Sequence, residues 1–322
     1  MTSELSAALL KRKPHALDVH SYFADNALER KAARKERNQQ SKFFYYEACE
    51  AADTPTKCCL HRSKATGSWL TTMPNRLNGT ELSAEEFRDS LRLRFGVLPK
   101  GLPPRCDGCG HKFSVEHALS CSKGGVVLLR HNEVSEEWQQ MCAQAYTPRA
   151  VSDEPLIPNS QDPTRECAPQ ATPIQPESRG DIGCQGFWKR QTLAIFDVRV
   201  TNLDGGAQRG KDAATMLAKH ELEKKKKHLD RCIAGRCQFT PLVFSCDGMM
   251  GIEAEAATKR LASTLSKKWQ RSYSQLCAYV RSRLSLALIR GMSLCLRGCR
   301  DKNPMLRNPA PQWDSGHGLA LY

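Results

Sequence analysis

The sequence lacks an amino-terminal apolar stretch ending in a small-residue cleavage site, so its 15 cysteines do not read as the disulfide framework of a secreted chain. A reducing compartment is expected instead. It also lacks an unbroken apolar run of about 18 residues, the length a membrane-crossing helix needs. The most apolar window, 284–296, is interrupted by Arg290. A soluble protein outside the membrane is therefore expected. No period of about 20 to 50 residues recurs, which excludes solenoid and propeller arrays. A Tyr-x-Asp-Asp polymerase segment is missing too, for Tyr22-Phe23-Ala24-Asp25-Asn26 is only a poor echo of one. No polymerase activity is expected.

Negative charge is scarce. Lysine and arginine number 48 against 34 aspartates and glutamates, a net charge of +14. That balance favours a polyanionic partner, nucleic acid first among them. The 322 residues are 40% hydrophobic, enough for a real core and about two domains.

Residues 1–98 read as a basic helical amino-terminal region. Arg30, Lys31, Arg34, Lys35 and Arg37 are interleaved with alanines over 27–42, a solvated helix. Asn78-Gly79 signals a turn, and Ser83 with Glu86 forms a capping box ahead of Phe87, Leu91 and Phe95 at four-residue steps. A core is expected over 127–250, with a helix at 131–146, strands at 151–157, 179–188 and 191–201, a helix at 211–234 and a strand at 239–246. Helices follow at 252–268 and 273–295, within a carboxy-terminal region of 251–300. This order, α-β-β-β-α-β, gives an α/β fold class: a small mixed sheet with helical extensions at both ends. Prolines crowd 158–178 among polar residues, which reads as a disordered loop. A structureless loop of that length is uncommon inside a compact domain. The stretch 301–322 reads as a disordered tail.

Within 99–126, Cys106, Cys109, His117 and Cys121 stand as C-x2-C-x7-H-x3-C. Zinc takes four such ligands at tetrahedral corners, and a two-residue gap lets one tight turn, here supplied by Gly108 and Gly110, aim two thiolates at one ion. His117 and Cys121 lie four apart, on one face if 115–120 is helical. His111 is the alternative fourth ligand. Four protein ligands leave no open position, so the zinc would be structural.

The strand 193–200 places Leu193, Ile195, Asp197 and Arg199 on one side and Ala194, Phe196, Val198 and Val200 on the other. An acid and a base flanked by apolar residues mark either an internal ion pair or a functional cleft. If the two strands before and including it form a hairpin centred on Lys189, Asp181 falls opposite Asp197. Two opposed carboxylates repel, and a divalent cation between them removes the repulsion. A slip of one residue would part the pair. On the following helix, Leu222, Leu229 and Ile233 suggest an apolar stripe, with Lys226 inside it at i+4 and i−3. Lys226 is thus the lysine expected to reach the sheet, its neighbours in Lys224-Lys225-Lys226-Lys227 being mostly solvated.

The Cys/His set, Arg130-His131-Asn132-Glu133, Asp181, Asp197 and the lysine-rich helix together resemble the restriction-like endonuclease of R2-like non-LTR retrotransposons, part of the PD-(D/E)xK superfamily. Asn78-Gly79-Thr80-Glu81-Leu82, His117-Ala118-Leu119-Ser120-Cys121 and Pro241-Leu242-Val243-Phe244-Ser245 also look like reverse-transcriptase-associated proteins of mobile elements. The resemblance spans roughly 68–300. It implies a restriction-endonuclease-like core, and DNA, or RNA in its place, as partner. It also implies a structural Zn2+, a catalytic Mg2+ or Mn2+, and nuclear residence. By position, Asp181 and Asp197 match the metal-binding acids and Arg199 stands where a lysine is usual. Glu133, or else Glu154, matches an auxiliary acid, and Lys226 or Lys227 a helix base. Two positions depart from the pattern. Gly180 replaces the proline before the first aspartate, which suggests a looser strand entry, and Arg199 cannot accept a proton. The alternative reading is a zinc-dependent nucleic-acid-binding protein without catalysis.

Overall fold

The computed structural model describes residues 19–157, 178–206 and 210–300. The expected loop 158–178, apart from its last residue, and the expected tail 301–322 lie outside them. The chain divides into two compact units, Met1–Asp53 and Thr54–Tyr322. Among the described residues of the first, helix α1 spans Val19–Ala51 and outruns the expected 27–42 at both ends. The segment 54–98, grouped by sequence with the amino terminus, belongs to the second unit.

That second unit begins with α2 (Thr54–Ser63), a 3-10 turn at Ser68–Thr71 and α3 (Ala84–Arg94). The capping box is present: Ser83 accepts from the Glu86 N–H while the Glu86 carboxylate accepts from the Ser83 N–H. The expected face packs only in part: Leu91 lies against a core cluster and the Phe87 ring meets Trp69 edge-on at 5.4 Å. Phe87 and Phe95 stay largely exposed, whereas Asp89 is buried by a two-pronged pairing with Arg297. A bidentate arginine thus shares the buried side of the helix with the apolar residues.

A short helix α4 (Val115–Ser120) and the longer α5 (Val126–Ala145) lead to β1 (Val151–Asp153), β2 (Ile182–Gln185) and β3 (Leu193–Thr201). Helix α6 (Ala213–Ala234) crosses over to β4 (Gln238–Ser245), and α7 (Ile252–Trp269) and α8 (Tyr273–Arg297) close the unit. The four strands form one mixed sheet in the order β1-β2-β3-β4. The first three are antiparallel neighbours, and β4 lies parallel to β3, a pairing that requires a crossover such as α6. The element order α-β-β-β-α-β holds. Strands β1 and β2 are shorter than expected, because the segments 154–157 and 178–181 continue the ladder only through the Leu156–Arg179 bridge and single hydrogen bonds.

The two faces of β3 carry different cores. Ala194, Phe196 and Val198 pack with α5, α7 and α8. Phe196 meets Trp138 edge-on at 5.5 Å and Phe187 at 4.9 Å between centroids. Full burial of each such ring contributes about 1.5–3 kcal/mol, which fixes α5 against the sheet. On the other face, Ile195 joins Cys232, Phe239 and half-buried Leu229 beneath α6. Among the described residues no helix is long and apolar enough to cross a membrane.

Candidate functional site

The hairpin register is the one that a turn at Lys189 dictates. Ile182 pairs with Phe196 and Gln185 with Leu193, and Gly186 N–H donates to the Thr192 carbonyl at 2.9 Å. Asp181 continues this ladder, its N–H donating to the Phe196 carbonyl at 2.9 Å, so its side chain meets that of Asp197. Gly180 makes this approach possible. Any Cβ there would collide with the Ile195 side chain, and its N–H donates to the Pro155 carbonyl at 3.0 Å. The strand entry is tight where the sequence suggested looseness, and proline would fit neither the space nor the hydrogen bond.

Each carboxylate has a polar neighbour at both oxygens. Asp181 accepts from the Val198 N–H at 2.5 Å through Oδ2, and His131 Nε2 lies 3.3 Å from its Oδ1. Asp197 is buried. Lys224 Nζ donates to its Oδ1 at 2.6 Å, and His228 Nε2 stands 3.4 Å from Oδ2. Burial pushes the Asp181 carboxyl up, but His131, the Val198 N–H and a hydrogen bond shared with Asp197 outweigh it and hold the group below its ordinary value. Burial likewise raises Asp197. Lys224 pulls it back, the neighbouring Asp181 charge pushes it up again, and it ends above the ordinary range. The two acids lie close enough for each to act on the other's titration. A divalent cation would relieve the same repulsion, so the donor set fits one.

The lysine that meets the sheet is Lys224. Lys226 and Lys227 are exposed, as are Leu222 and Ile233 of the supposed apolar stripe. The face of α6 that packs down consists of Met216, Leu217, His220, Glu221, His228 and Cys232. Glu221 accepts from the Glu253 N–H at 2.9 Å at the start of α7, and Lys225 pairs with Glu253. These contacts on either side of Lys224 fix the rotation of the helix. Burial, with Lys227, Lys224 and Arg231 nearby, lowers the His228 pKa to about 4.

The remaining expected site residues fall around this centre. Arg199 lies on the Asp197 face but pairs with Glu223 at 2.7 Å. Glu133 does not join the aspartates. Burial raises its carboxyl, and the charges acting on it are Arg290, Glu136, Glu137 and Glu86. The α5 residue that reaches Asp181 is His131, two positions earlier. Glu154 is exposed, and its N–H donates to the Asp181 carbonyl at 3.0 Å.

No protein-family model and no curated protein matches this chain. Its chemistry therefore rests on its own geometry.

The second centre lies in 105–121. An isolated pairing of Arg105 with Lys112 folds Cys106 and Cys109 into a tight turn, with Gly110 at φ +76°. His117 sits in the first turns of α4 and Cys121 caps it, the Cys121 N–H donating to the His117 carbonyl at 2.8 Å. Ligand atoms of Cys106, Cys109, His117 and Cys121 all lie within 4.8 Å of one another, a set that can hold a metal ion. Cys109 Sγ is 3.3 Å from His117 Nε2, 3.9 Å from Cys121 Sγ, and Cys106 Sγ is 4.0 Å from Cys121 Sγ. A tetrahedral ion with bonds near 2.3 Å has sulfur–sulfur edges of about 3.8 Å, so the set fits zinc. His111 is exposed and outside the set. Burial would raise the Cys106 thiol, yet His117, the Gly108 and Cys109 backbone and the Cys109 thiol bring it down to about 6, toward the ligating thiolate.

Two buried arginines seat this centre on the core. Arg130 of α5 donates to the Leu119 carbonyl at 2.9 Å and to the Val200 carbonyl at 3.3 Å. Arg300 donates to the Ala118 carbonyl at 3.0 Å, and its N–H reaches Asp107 at 2.7 Å. Gly124 has no room for a Cβ beside Arg300.

Proposed function

We propose that this chain is a metal-dependent endonuclease of the restriction-like, PD-(D/E)xK type, derived from a mobile element of the R2-like group, which nicks DNA one strand at a time in the nucleus. The observation that carries this reading is the meeting of Asp181 and Asp197 across the hairpin, with Lys224 Nζ 2.6 Å from Asp197. The element order α-β-β-β-α-β around that pair supports it.

Asp181 and Asp197 would hold the cation. Bound Mg2+ or Mn2+ supplies Lewis-acid polarisation of a phosphoryl oxygen and an acidified water. Lys224 places a positive charge beside the pair, where negative charge builds on the phosphoryl oxygens. Arg199, paired with Glu223, contributes electrostatically at the rim. The exposed Lys226 and Lys227 on α6, and a net charge of +14, suit contacts to the phosphate backbone. The Cys106, Cys109, His117 and Cys121 set would bind a structural Zn2+, all four positions being filled by protein.

A plasmid-nicking assay with Mg2+ tests the reading. Wild-type protein is expected to convert supercoiled to open-circular DNA, and Asp197→Ala to fail. Equal activity of the two would remove the catalytic assignment. Binding that weakens steeply with salt is expected in both proteins, because counterion release drives it.

A second reading, a zinc-dependent nucleic-acid-binding protein without catalysis, draws on Asp197 being engaged by Lys224 and His228 and on Arg199 being tied to Glu223. In that case wild type binds DNA but does not nick it. Competition between DNA and RNA of one sequence then identifies the polymer.

A further inference from the structure

His228 is 2% exposed, and no step above uses it. Its ring rests against Phe239 at 5.4 Å between centroids, yet both of its nitrogens are engaged. Nε2 lies 3.4 Å from Asp197 Oδ2, and Nδ1 lies 3.2 Å from Ser178 Oγ. Ser178 is itself pinned, since its carbonyl accepts from the Ile157 N–H at 2.8 Å and the next residue, Arg179, pairs with Leu156. A continuous line of contacts therefore runs from the ladder beside β1, through α6, to the carboxylate on β3.

A carboxylate with one fixed oxygen still swings about its terminal torsion, which is a soft one. Lys224 grips Oδ1, and His228, one helical turn later, stands at Oδ2. Two groups four residues apart on a single helix face thus stand at the two oxygens of the carboxylate. Partners behind a metal-binding carboxylate commonly contribute 10- to 100-fold in metal affinity, on the order of the effect expected here.

We propose that His228, braced by Ser178, is a positioning residue that fixes the Asp197 carboxylate for cation binding opposite Asp181. The inference rests on the two-aspartate reading above. It adds a role for two residues that would not touch the substrate.

The test is a titration with Mn2+ alone, following the free-ion electron paramagnetic resonance signal, on zinc-loaded full-length protein. Wild type is compared with His228→Leu, His228→Gln, Ser178→Ala and Asp181→Asn. Leucine fills the space without a donor, whereas glutamine brings an amide N–H close to the place of Nε2. His228→Leu is expected to weaken Mn2+ binding about tenfold or more, with Ser178→Ala losing a smaller factor and His228→Gln recovering most of the loss. A purely packing role would give leucine the better score.

Mn2+ affinity unchanged in His228→Leu, or no better in His228→Gln than in His228→Leu, overturns the proposal while leaving the cation site standing. Should both position-228 variants fail to fold, unchanged affinity in Ser178→Ala overturns it. If wild type binds Mn2+ no better than Asp181→Asn, the two-aspartate reading fails and carries this one with it.

Discussion

Lys224 Nζ lies 2.6 Å from Asp197 Oδ1, the side chains being 23% and 8% exposed. Removing one partner of a largely buried pair leaves the other charge uncompensated, a loss of about 3 kcal/mol where the group cannot neutralise itself. Lys224→Ala should therefore lose up to about 3 kcal/mol in urea unfolding and abolish nicking. Lys226→Ala, at an exposed position, should stay within about 0.5 kcal/mol of wild type. Equal losses in the two would mean that α6 is rotated from the orientation described.

Purified protein should carry about one equivalent of zinc, the content of a single four-ligand site. Stripping it, or replacing Cys109 with serine, should lower the melting temperature, since such sites couple metal binding to folding. The effect should extend beyond 105–121, because Arg130 links Leu119 to Val200 at the end of β3. Hydrogen exchange would show this as lost protection in α5. Zinc-free protein with an unchanged melting curve would refute it.

Gly180→Ala drives a methyl group into Ile195 and should cost about 1–3 kcal/mol, as overpacking does. Gly180→Pro also deletes the hydrogen bond to Pro155, which adds about 1 kcal/mol. Denaturant midpoints should fall in the order wild type, alanine, proline. A proline variant as stable as wild type would show that the strand entry has slack.

His220 is buried, and its pKa is lowered by that burial and by the Arg199 charge, with Lys219 adding to the effect and Glu223 opposing it. A group whose folded pKa lies below its unfolded value contributes stability above the unfolded pKa, near 6.5, and loses it as pH falls. Between pH 7.5 and 5.5, wild type should thus lose more stability than His220→Gln. Parallel curves from paired denaturation series would count against this.

Much of this arrangement was legible in the sequence because it depends on short-range geometry. The hairpin register follows from the turn at Lys189, and the alternation of β3 puts Asp197 under α6 and Phe196 on the other side. The Cys/His spacing sets the second centre. The helix lysine was not legible through hydropathy, because α6 packs down through His220, Glu221 and His228 as well as Leu217 and Cys232. Reading from Leu217 to Cys232 at helical spacing would have passed through Lys224, but the exposed Leu222 and Ile233 gave the stronger apolar signal. Glu133 failed for a related reason. Which residue of α5 faces Asp181 depends on how Trp138 and Val134 seat that helix, and this selects His131.

The ladder beside β1 also makes the chain depart and return side by side, with Ile157 bonded to Ser178 and Pro155 to Gly180. Doubling the length of such an excursion costs only about 0.6 kcal/mol. Lengthening the chain between those paired ends is therefore expected to leave the register that brings Asp181 to Asp197 unchanged.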